Sequence, residues 1–555
     1  LMAGKTGSGK STLLHIIITT LAFRYSPDEV EFYLIDFKKG VEFKDYATNN
    51  LPHARVIAVE SDREFGVSAL QHLDQELQRR GELFRKHGVQ DIAGYRNETD
   101  KPLPRILLII DEFQEFFVED DKISQSASLL LDRLVRQGRA FGIHVILGSQ
   151  TLGGAYTLAR STMGQIAVRV ALQCSEADAH LILSEENTAA RLLTRPGEAI
   201  YNDANGMMEG NHPFQIAWLN DAQRDGYLQQ IQERLLRRGM DAEPAIVFEG
   251  NIPSDLIRND QLSEQIDQFS SREKPVTHPT IWLGDSVEIA PPTALTFRHE
   301  SGKNLLILGP DGDAAMGILS SSLVALASAR TSGEEKTPSL YLLDGSYPDS
   351  DEAKVWKQIA ETLPVGIVSV DGHQVGEMLG ALTTERQRRE DENERQAAPI
   401  FVLIHHLARF RDLRKGEDDY GLGGFGGSNV DKPVEPGKLF SDLLTKGPEY
   451  GIHFLIWCDS YNNADRWLSR NSLREMELRI ALQMNASDSS NFIDSPAASR
   501  LGTHRALLYR EETGMTEKFR PYGVPPLNWL ETVRHRLQSG AGADVATSIE
   551  EFSIM

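Results

Sequence analysis

The sequence predicts an α/β protein of two tandem domains, each built on a central, mainly parallel sheet, with the second copy stripped of its catalytic residues. Three observations carry this prediction: a glycine-rich loop between an apolar strand end and an apolar helix, an acidic pair closing another apolar strand, and an internal repeat spanning both halves.

At 555 residues the chain is too long for one compact core. Its formal net charge of −22 argues against a broadly basic surface that coats nucleic acid, but not against a basic strip lining a narrow channel. The two cysteines, Cys174 and Cys458, offer no disulfide framework and fit a reducing, cytoplasmic setting. The longest nearly apolar stretch, Leu13 to Phe23, is too short to cross a bilayer and carries His15, Thr19 and Thr20. The opening Leu1-Met2-Ala3 reads as the end of a buried strand. Entry strands are therefore expected upstream, where a membrane anchor or accessory domain would also lie.

Directly after it, Gly4-Lys5-Thr6-Gly7-Ser8-Gly9-Lys10-Ser11-Thr12 satisfies the phosphate-loop pattern G-x-x-x-x-G-K-[ST]. Glycines let the loop turn tightly enough for backbone N–H groups to ring phosphates. Lys10 is then placed for the β/γ-phosphates of ATP and the Ser11 hydroxyl for Mg²⁺. The following residues, Thr12 to Phe23, are apolar on every side, as a helix buried in an α/β domain should be. A second strand, Val30 to Asp36, leads into the turn Phe37-Lys38-Lys39-Gly40, and a third covers Ala54 to Val59. A long charged helix follows from Glu64 to His87, with Gly88 as its C-cap. The run Arg105 to Ile110 ends in Asp111-Glu112, the Walker B arrangement: Asp111 to hold Mg²⁺ through water, Glu112 to polarise the attacking water. The strand Ile143 to Leu147 ends at Ser149-Gln150, and Gln150 is a candidate sensor of the γ-phosphate, set against a satisfied strand-end amide.

The helix ending Leu77-Gln78-Arg79-Arg80, the phrase Gly88-Val89-Gln90-Asp91-Ile92-Ala93-Gly94-Tyr95-Arg96, and Gly138-Arg139-Ala140-Phe141-Gly142-Ile143-His144 resemble signatures of FtsK/SpoIIIE/HerA-type ATPases, across about residues 1 to 220. The resemblance implies a RecA-like P-loop fold working as a homo-oligomeric ring, usually a hexamer. Members of the family push double-stranded DNA through the ring or, in the EccC branch, drive type VII protein secretion. Each ATP is then expected between subunits, completed by a neighbour's arginine. Arg169, in Val168-Arg169-Val170-Ala171-Leu172, is the first candidate for that finger and Arg139 the alternative, each weighed against a structural salt bridge.

The second half repeats the first at an offset of about 308 residues. Tyr33-Leu34-Ile35-Asp36 recurs as Tyr341-Leu342-Leu343-Asp344, Arg79-Arg80 as Arg388-Arg389, and Gly142-Ile143-His144 as Gly451-Ile452-His453. Arg169-Val170-Ala171-Leu172-Gln173 recurs as Arg479-Ile480-Ala481-Leu482-Gln483. The chemistry does not recur. Opposite the phosphate loop stands Gly309-Pro310-Asp311-Gly312-Asp313-Ala314-Ala315-Met316, with Ala315 at the lysine position and Met316 at the hydroxyl position. His405-His406 replaces the acidic pair, and Asp459 replaces Gln150. Adjacent histidines on a strand point to opposite faces and do not readily share one metal.

The organisation expected is an ATPase domain over 1–240, a polar linker over 241–275 with room for one short helix, the degenerate copy over 276–540 and a polar tail over 541–555, with 421–438 as a glycine-rich loop inside the second copy. The leading functional reading is an ATP-driven translocase of double-stranded DNA, with Lys38, Lys39, Arg136 and Arg139 as contact candidates, each set against a solvated basic face. The second is a type VII-like secretion motor, in which Met316 and Leu319 rim a protein-docking pocket on the degenerate domain. The third is an ATP-gated scaffold, against which an intact Glu112 counts.

Overall fold

Short apolar runs buried on both faces build the first sheet. Its strands are β1 (Met2–Ala3), β2 (Val30–Asp36), β3 (Ala54–Val59), β4 (Arg105–Asp111), β5 (Ile143–Ser149), β6 (Arg169–Leu172), β7 (Glu198–Asn202), β8 (Asn211–Gln215) and β9 (Ile246–Glu249), in the order 8-7-6-1-5-4-2-3-9. From β6 to β9 the neighbours are parallel, and β7 and β8 add an antiparallel margin. In β2, Tyr33 and Ile35 enter one core while Phe32 and Leu34 enter another. A period of two with both faces buried is why such strands read as continuous apolar runs. Gly88 ends the long helix Arg63–His87 at a φ of 67°.

The computed structural model describes residues 1–38, 42–153, 160–239, 243–331, 339–363, 366–415 and 435–539. The chain divides into two units, Leu1–Asn251 with Val287–Ile289, and Ile252–Ser286 with the chain from Ala290 on. In the second unit, β10 (Thr280–Ser286), β11 (Thr293–Thr296), β12 (Leu305–Leu308), β13 (Leu340–Asp344), β14 (Ile367–Ser369), β15 (Ile400–His405), β16 (Ile452–Cys458), β17 (Leu478–Ala481), β18 (Ala506–Arg510) and β19 (Met515–Pro521) form a sheet in the order 11-10-19-18-17-12-16-15-13-14. Setting 8-7-6-1-5-4-2-3 against 19-18-17-12-16-15-13-14 aligns eight strands one for one. Register follows: Asp36 pairs with Asp111 as Asp344 pairs with His405, and Ala3 with Ser149 as Leu308 with Cys458. The two units are copies of one tandem α/β design.

The repeated arginines are structural in both copies. Arg80 donates to Glu76 at 2.7 Å and to the Phe141 carbonyl at 2.8 Å. Arg389 does the same to Glu385 at 2.8 Å and the Tyr450 carbonyl at 2.7 Å. Each guanidinium ties a long helix to the turn before the next strand, where a lost partner would leave buried carbonyls unpaired.

Three expectations change. The 241–275 stretch is not a plain linker: Ile246–Glu249 is the margin strand β9 of the first sheet, and the helix Asp260–Asp267 puts Leu262 and Ile266, followed by Phe269, into the core of the second unit. Elements of four and eight residues are too short to impose a visible period. Met316 and Leu319 form no rim, because they face the core of the second unit with 4% and 0% exposure. Of the 421–438 loop, 421–434 lies outside the described residues, and Pro436 already opens the helix Pro436–Lys446. The 541–555 tail also lies outside them. Among the described residues no helix is long and apolar enough to cross a membrane.

Candidate active site

The loop from Gly4 to Gly9 leaves β1 and enters the helix Lys10–Arg24. Its position is set by backbone bonds to the strands around it: Gly4 N–H to Ser149 at 3.2 Å, Lys5 N–H to Gln173 at 2.9 Å, and the Ser8 carbonyl to Gly197 N–H at 2.8 Å. Gly9 has a φ of 104°, and a Cβ there would lie 3.3 Å from the Gly197 Cα, so glycine is required on two counts. The loop opens onto a cleft of about 720 Å³, walled by Asp36, Glu42, Asp111, Glu112 and Gln150 on one side and by Pro196, Gly197 and Gln215 to Trp218 on the other.

Lys10 is buried and bridges both acids, to Asp111 Oδ1 and, at 2.8 Å, to Glu112 Oε1. Burial opposes its charge, but the two carboxylates outweigh it and hold the ammonium above its ordinary range. Glu112 is 1% exposed and has a φ of 57°. A non-glycine residue in that region is a strained position of the kind found at functional sites. Its Oε2 accepts from Lys38 Nζ at 3.2 Å, Gln114 Nε2 at 2.6 Å and the Gln150 N–H at 3.2 Å. Burial acts to raise its pKa, yet Lys10 and these donors hold it below the usual carboxylate range. Glu112 thus accepts four hydrogen bonds, one on Oε1 and three on Oε2.

Ser11 donates to Glu42 at 2.8 Å, and Glu42 lies 3.5 Å from His15. Asp36 Oδ1 accepts from the Lys38 N–H at 3.0 Å, while its Oδ2 is buried with no partner. Burial, with Asp111 and Glu42 nearby, pushes Asp36 up to about 7. Asp36, Glu42, His15 and Gln114 were not singled out from sequence; a strand-end aspartate and a glutamine two residues past the acidic pair are signals too common to select them. The orphaned Asp36 oxygen, with Ser11 and Asp111 lining the same cleft, is an oxygen-donor set suited to Mg²⁺.

Asp36 carries a pH prediction for the nucleotide-free protein. Its folded pKa lies above the unfolded 3.8, so the fold takes up a proton and loses stability as pH rises from about 4 through 7. Asp36→Asn, which keeps the acceptor for Lys38 N–H, should therefore stabilise by a margin that grows across that window, at roughly 1.4 kcal/mol per pKa unit, and levels above it. Denaturant titrations at four pH values test this. A gain independent of pH would place the effect outside ionisation.

The remaining expected residues separate. Gln150 faces the loop, its Oε1 accepting from Thr6 Oγ1 at 3.1 Å. Arg169 is buried and donates to the carbonyls of Ile166, Ile182 and Leu183, the last at 2.6 Å. Arg479 repeats this on Met476 and Phe492. Arg169 is thus committed within its own unit and does not reach outward as a finger, whereas Arg139 is exposed. Lys38 is drawn into the cleft by Glu112 rather than turned to a channel. Lys39 lies outside the described residues. Arg136 is exposed and pairs with Asp132 at 2.8 Å.

Residues 1–153 match the model of the FtsK/SpoIIIE family. Those residues form an FtsK/SpoIIIE-type P-loop ATPase domain. The chain is similar to the DNA translocase FtsK of Streptococcus agalactiae serotype V, 32% identical over 226 residues, or 39% of this chain and 26% of that protein. The chain is also similar to the ESX secretion system protein EccC of Geobacillus thermodenitrificans, 31% identical over 286 residues, or 50% of this chain and 17% of that one. The chain thus spans about a quarter or less of the curated relatives it matches. Among solved structures, the cytoplasmic domain of the Thermomonospora curvata type VII secretion ATPase EccC covers 97% of this chain at a TM-score of 0.59 and 18% identity, with 63% of that chain matched. EssC (ATPases 2 and 3) of G. thermodenitrificans covers 94% at 0.54 and 15%, with 90% of that chain matched. These two show the fold.

In the second unit the strand framework of the first persists with a side-chain carboxylate at its helix end. Asp311 caps the helix Gly312–Ser328 by accepting from the Ala314 N–H at 3.0 Å, so a carboxylate occupies the helix end that a phosphate would use. Trp457 takes the register position that Gly148 holds in the first unit, where a Cβ would come within 2.6 Å of Asp111. Its indole donates to the Gly309 carbonyl at 3.0 Å and stacks on His405 at 4.8 Å. His406 keeps the left-handed backbone of Glu112, with a φ of 69°, and Ser346 N–H bonds Asp344 as Lys38 N–H bonds Asp36. The backbone of the site was retained after its chemistry was replaced.

Proposed function

We propose that the chain is an ATP-hydrolysing motor that works as a homo-oligomeric ring, a hexamer by family precedent, with the second unit as a non-hydrolysing regulatory or structural copy. The phosphates lie on the N–H groups from Gly4 to Gly9, with Lys10 at the β/γ end. Mg²⁺ would be held by Ser11 and Asp111 and would neutralise charge on the transferring phosphoryl group. Binding of the triphosphate draws the Lys10 ammonium away from Glu112, which frees one oxygen to orient and deprotonate the attacking water. Gln150, already bonded to the loop through Thr6, senses whether the γ-phosphate is present. Arg139, exposed where Arg169 is not, completes the site of a neighbouring subunit.

The substrate we infer is protein, as in type VII secretion, and the reach of the sequence likeness supports it. A match over 50% of the chain is longer than Leu1–Asn251, so the likeness to EccC runs into the second unit, while the FtsK match, 39% of the chain, is short enough to fit within the first. The engagement of Lys38 with Glu112 and of Arg136 with Asp132 points the same way, because it occupies two of the cations considered for phosphate. The 32% identity to FtsK favours the second reading, duplex DNA. One comparison separates them: ATPase activity of an oligomeric preparation with a small helical secreted protein, and with duplex DNA, across a salt series. The protein reading expects stimulation by the former alone. Stimulation by DNA that falls steeply with salt, near −0.9 in the log–log slope per phosphate neutralised, would establish the DNA reading instead.

A further inference from the structure

Trp218 is the most exposed large apolar side chain described, at 78%, and it lines the cleft. Tryptophan left this open is uncommon without a ligand or partner to cover it. Its position relative to the phosphate loop is fixed at short range. Gly197 N–H bonds the Ser8 carbonyl, Ile216 N–H bonds the Gly197 carbonyl at 2.8 Å, and the Ile216 Cδ1 lies 3.5 Å from where a Gly9 Cβ would stand. Two residues on, Trp218 continues this wall away from the loop. The acids occupy the opposite wall, beside Lys10.

A nucleotide on this loop has its terminal phosphate at the Lys10, Asp111 and Glu112 end. Its base must then extend toward the wall that carries no charge, formed by Pro196, Ile216, Ala217 and Trp218. We propose that Trp218 is the base-stacking residue of the site: the nucleobase of ATP lies on the indole face and closes the exposed side of the cleft. This deepens, and rests on, the reading of the cleft as the ATP site. Stacking on an aromatic ring suits a nucleobase because both faces are flat and polarisable.

The test uses the full chain. Trp218→Ala should raise the KM for ATP by roughly tenfold or more, the range expected for one base–aromatic stack, with kcat changed little. Trp218→Phe should recover most of the affinity. Inhibition by tripolyphosphate, which has no base, should be equal in the unaltered chain and in Trp218→Ala. ATP should quench tryptophan fluorescence in the unaltered chain but not in Trp218→Phe, since the other five tryptophans, from Trp282 to Trp529, belong to the second unit. An unchanged KM in Trp218→Ala would overturn the proposal while leaving the ATP site intact, and so would a parallel loss of tripolyphosphate affinity, which marks a structural role. An unaltered chain that binds tripolyphosphate but not ATP would overturn the base subsite; one that binds neither would overturn the nucleotide reading as well.

Discussion

Glu112→Gln is expected to lower steady-state ATP turnover by about a hundredfold or more while ATP still binds. The amide has the size of the carboxylate and still accepts one hydrogen bond, so the loop and Lys10 keep their places. What it loses is the capacity to take a proton from water. Glu112 is held by Lys10, Lys38, Gln114 and the Gln150 N–H, and burial acts to raise its pKa against them. Those donors favour its ionised form. Filter-binding of labelled ATP alongside a turnover assay measures both halves of the expectation. Turnover near that of the unaltered protein would remove Glu112 from its role.

What could be read from the sequence followed from how local each signal is. The phosphate loop and the Asp111-Glu112 strand end are contiguous patterns with flanking apolar runs, and the residues expected from them line one cleft. The duplication was legible because it needs only identities at a steady offset, and the matched strand orders reflect it. Long-range partners were not legible. Lys38 reads as an exposed turn cation until β2 and β4 are placed side by side, which brings Asp36 next to Asp111 and the turn onto Glu112. Arg169 reads as a finger because the family resemblance calls for a neighbour's arginine, yet it recurs as Arg479 because backbone carbonyls need a donor in both copies. Met316 was assigned to a pocket rim from its place opposite Ser11, but a longer, apolar side chain there turns into the core. The wall from Pro196 to Trp218 carries no motif at all and appears only when the antiparallel margin folds back beside Gly9.

Lys10→Ala is expected to abolish saturable ATP binding by the whole chain. Lys10 is the compact cation that the loop places at the β/γ-phosphates, and removing one partner of a buried, hydrogen-bonded charge pair costs about 2–5 kcal/mol, or 30- to 5000-fold in affinity. The same substitution leaves Asp111 and Glu112 buried without their shared ammonium, so the nucleotide-free protein should also lose about 3–5 kcal/mol of stability at neutral pH. That loss has a sign that can be checked. Two unpaired buried carboxylates have their pKa values raised above the unfolded values, so the variant binds more protons folded than unfolded and its deficit shrinks as pH falls. Lys10→Met, closer in volume, separates the charge from the cavity, and both should lose ATP equally. Isothermal titration of the full chain also interrogates the second unit. With Lys10 gone, any remaining saturable binding of Mg-ATP must arise beside Asp311, His405 and Trp457. The expected result is none, because Ala315 offers no cation, Asp311 already caps the helix end, and the Trp457 indole holds the Gly309 carbonyl. A stoichiometric second site in Lys10→Ala would falsify the reading of that unit as a copy without nucleotide.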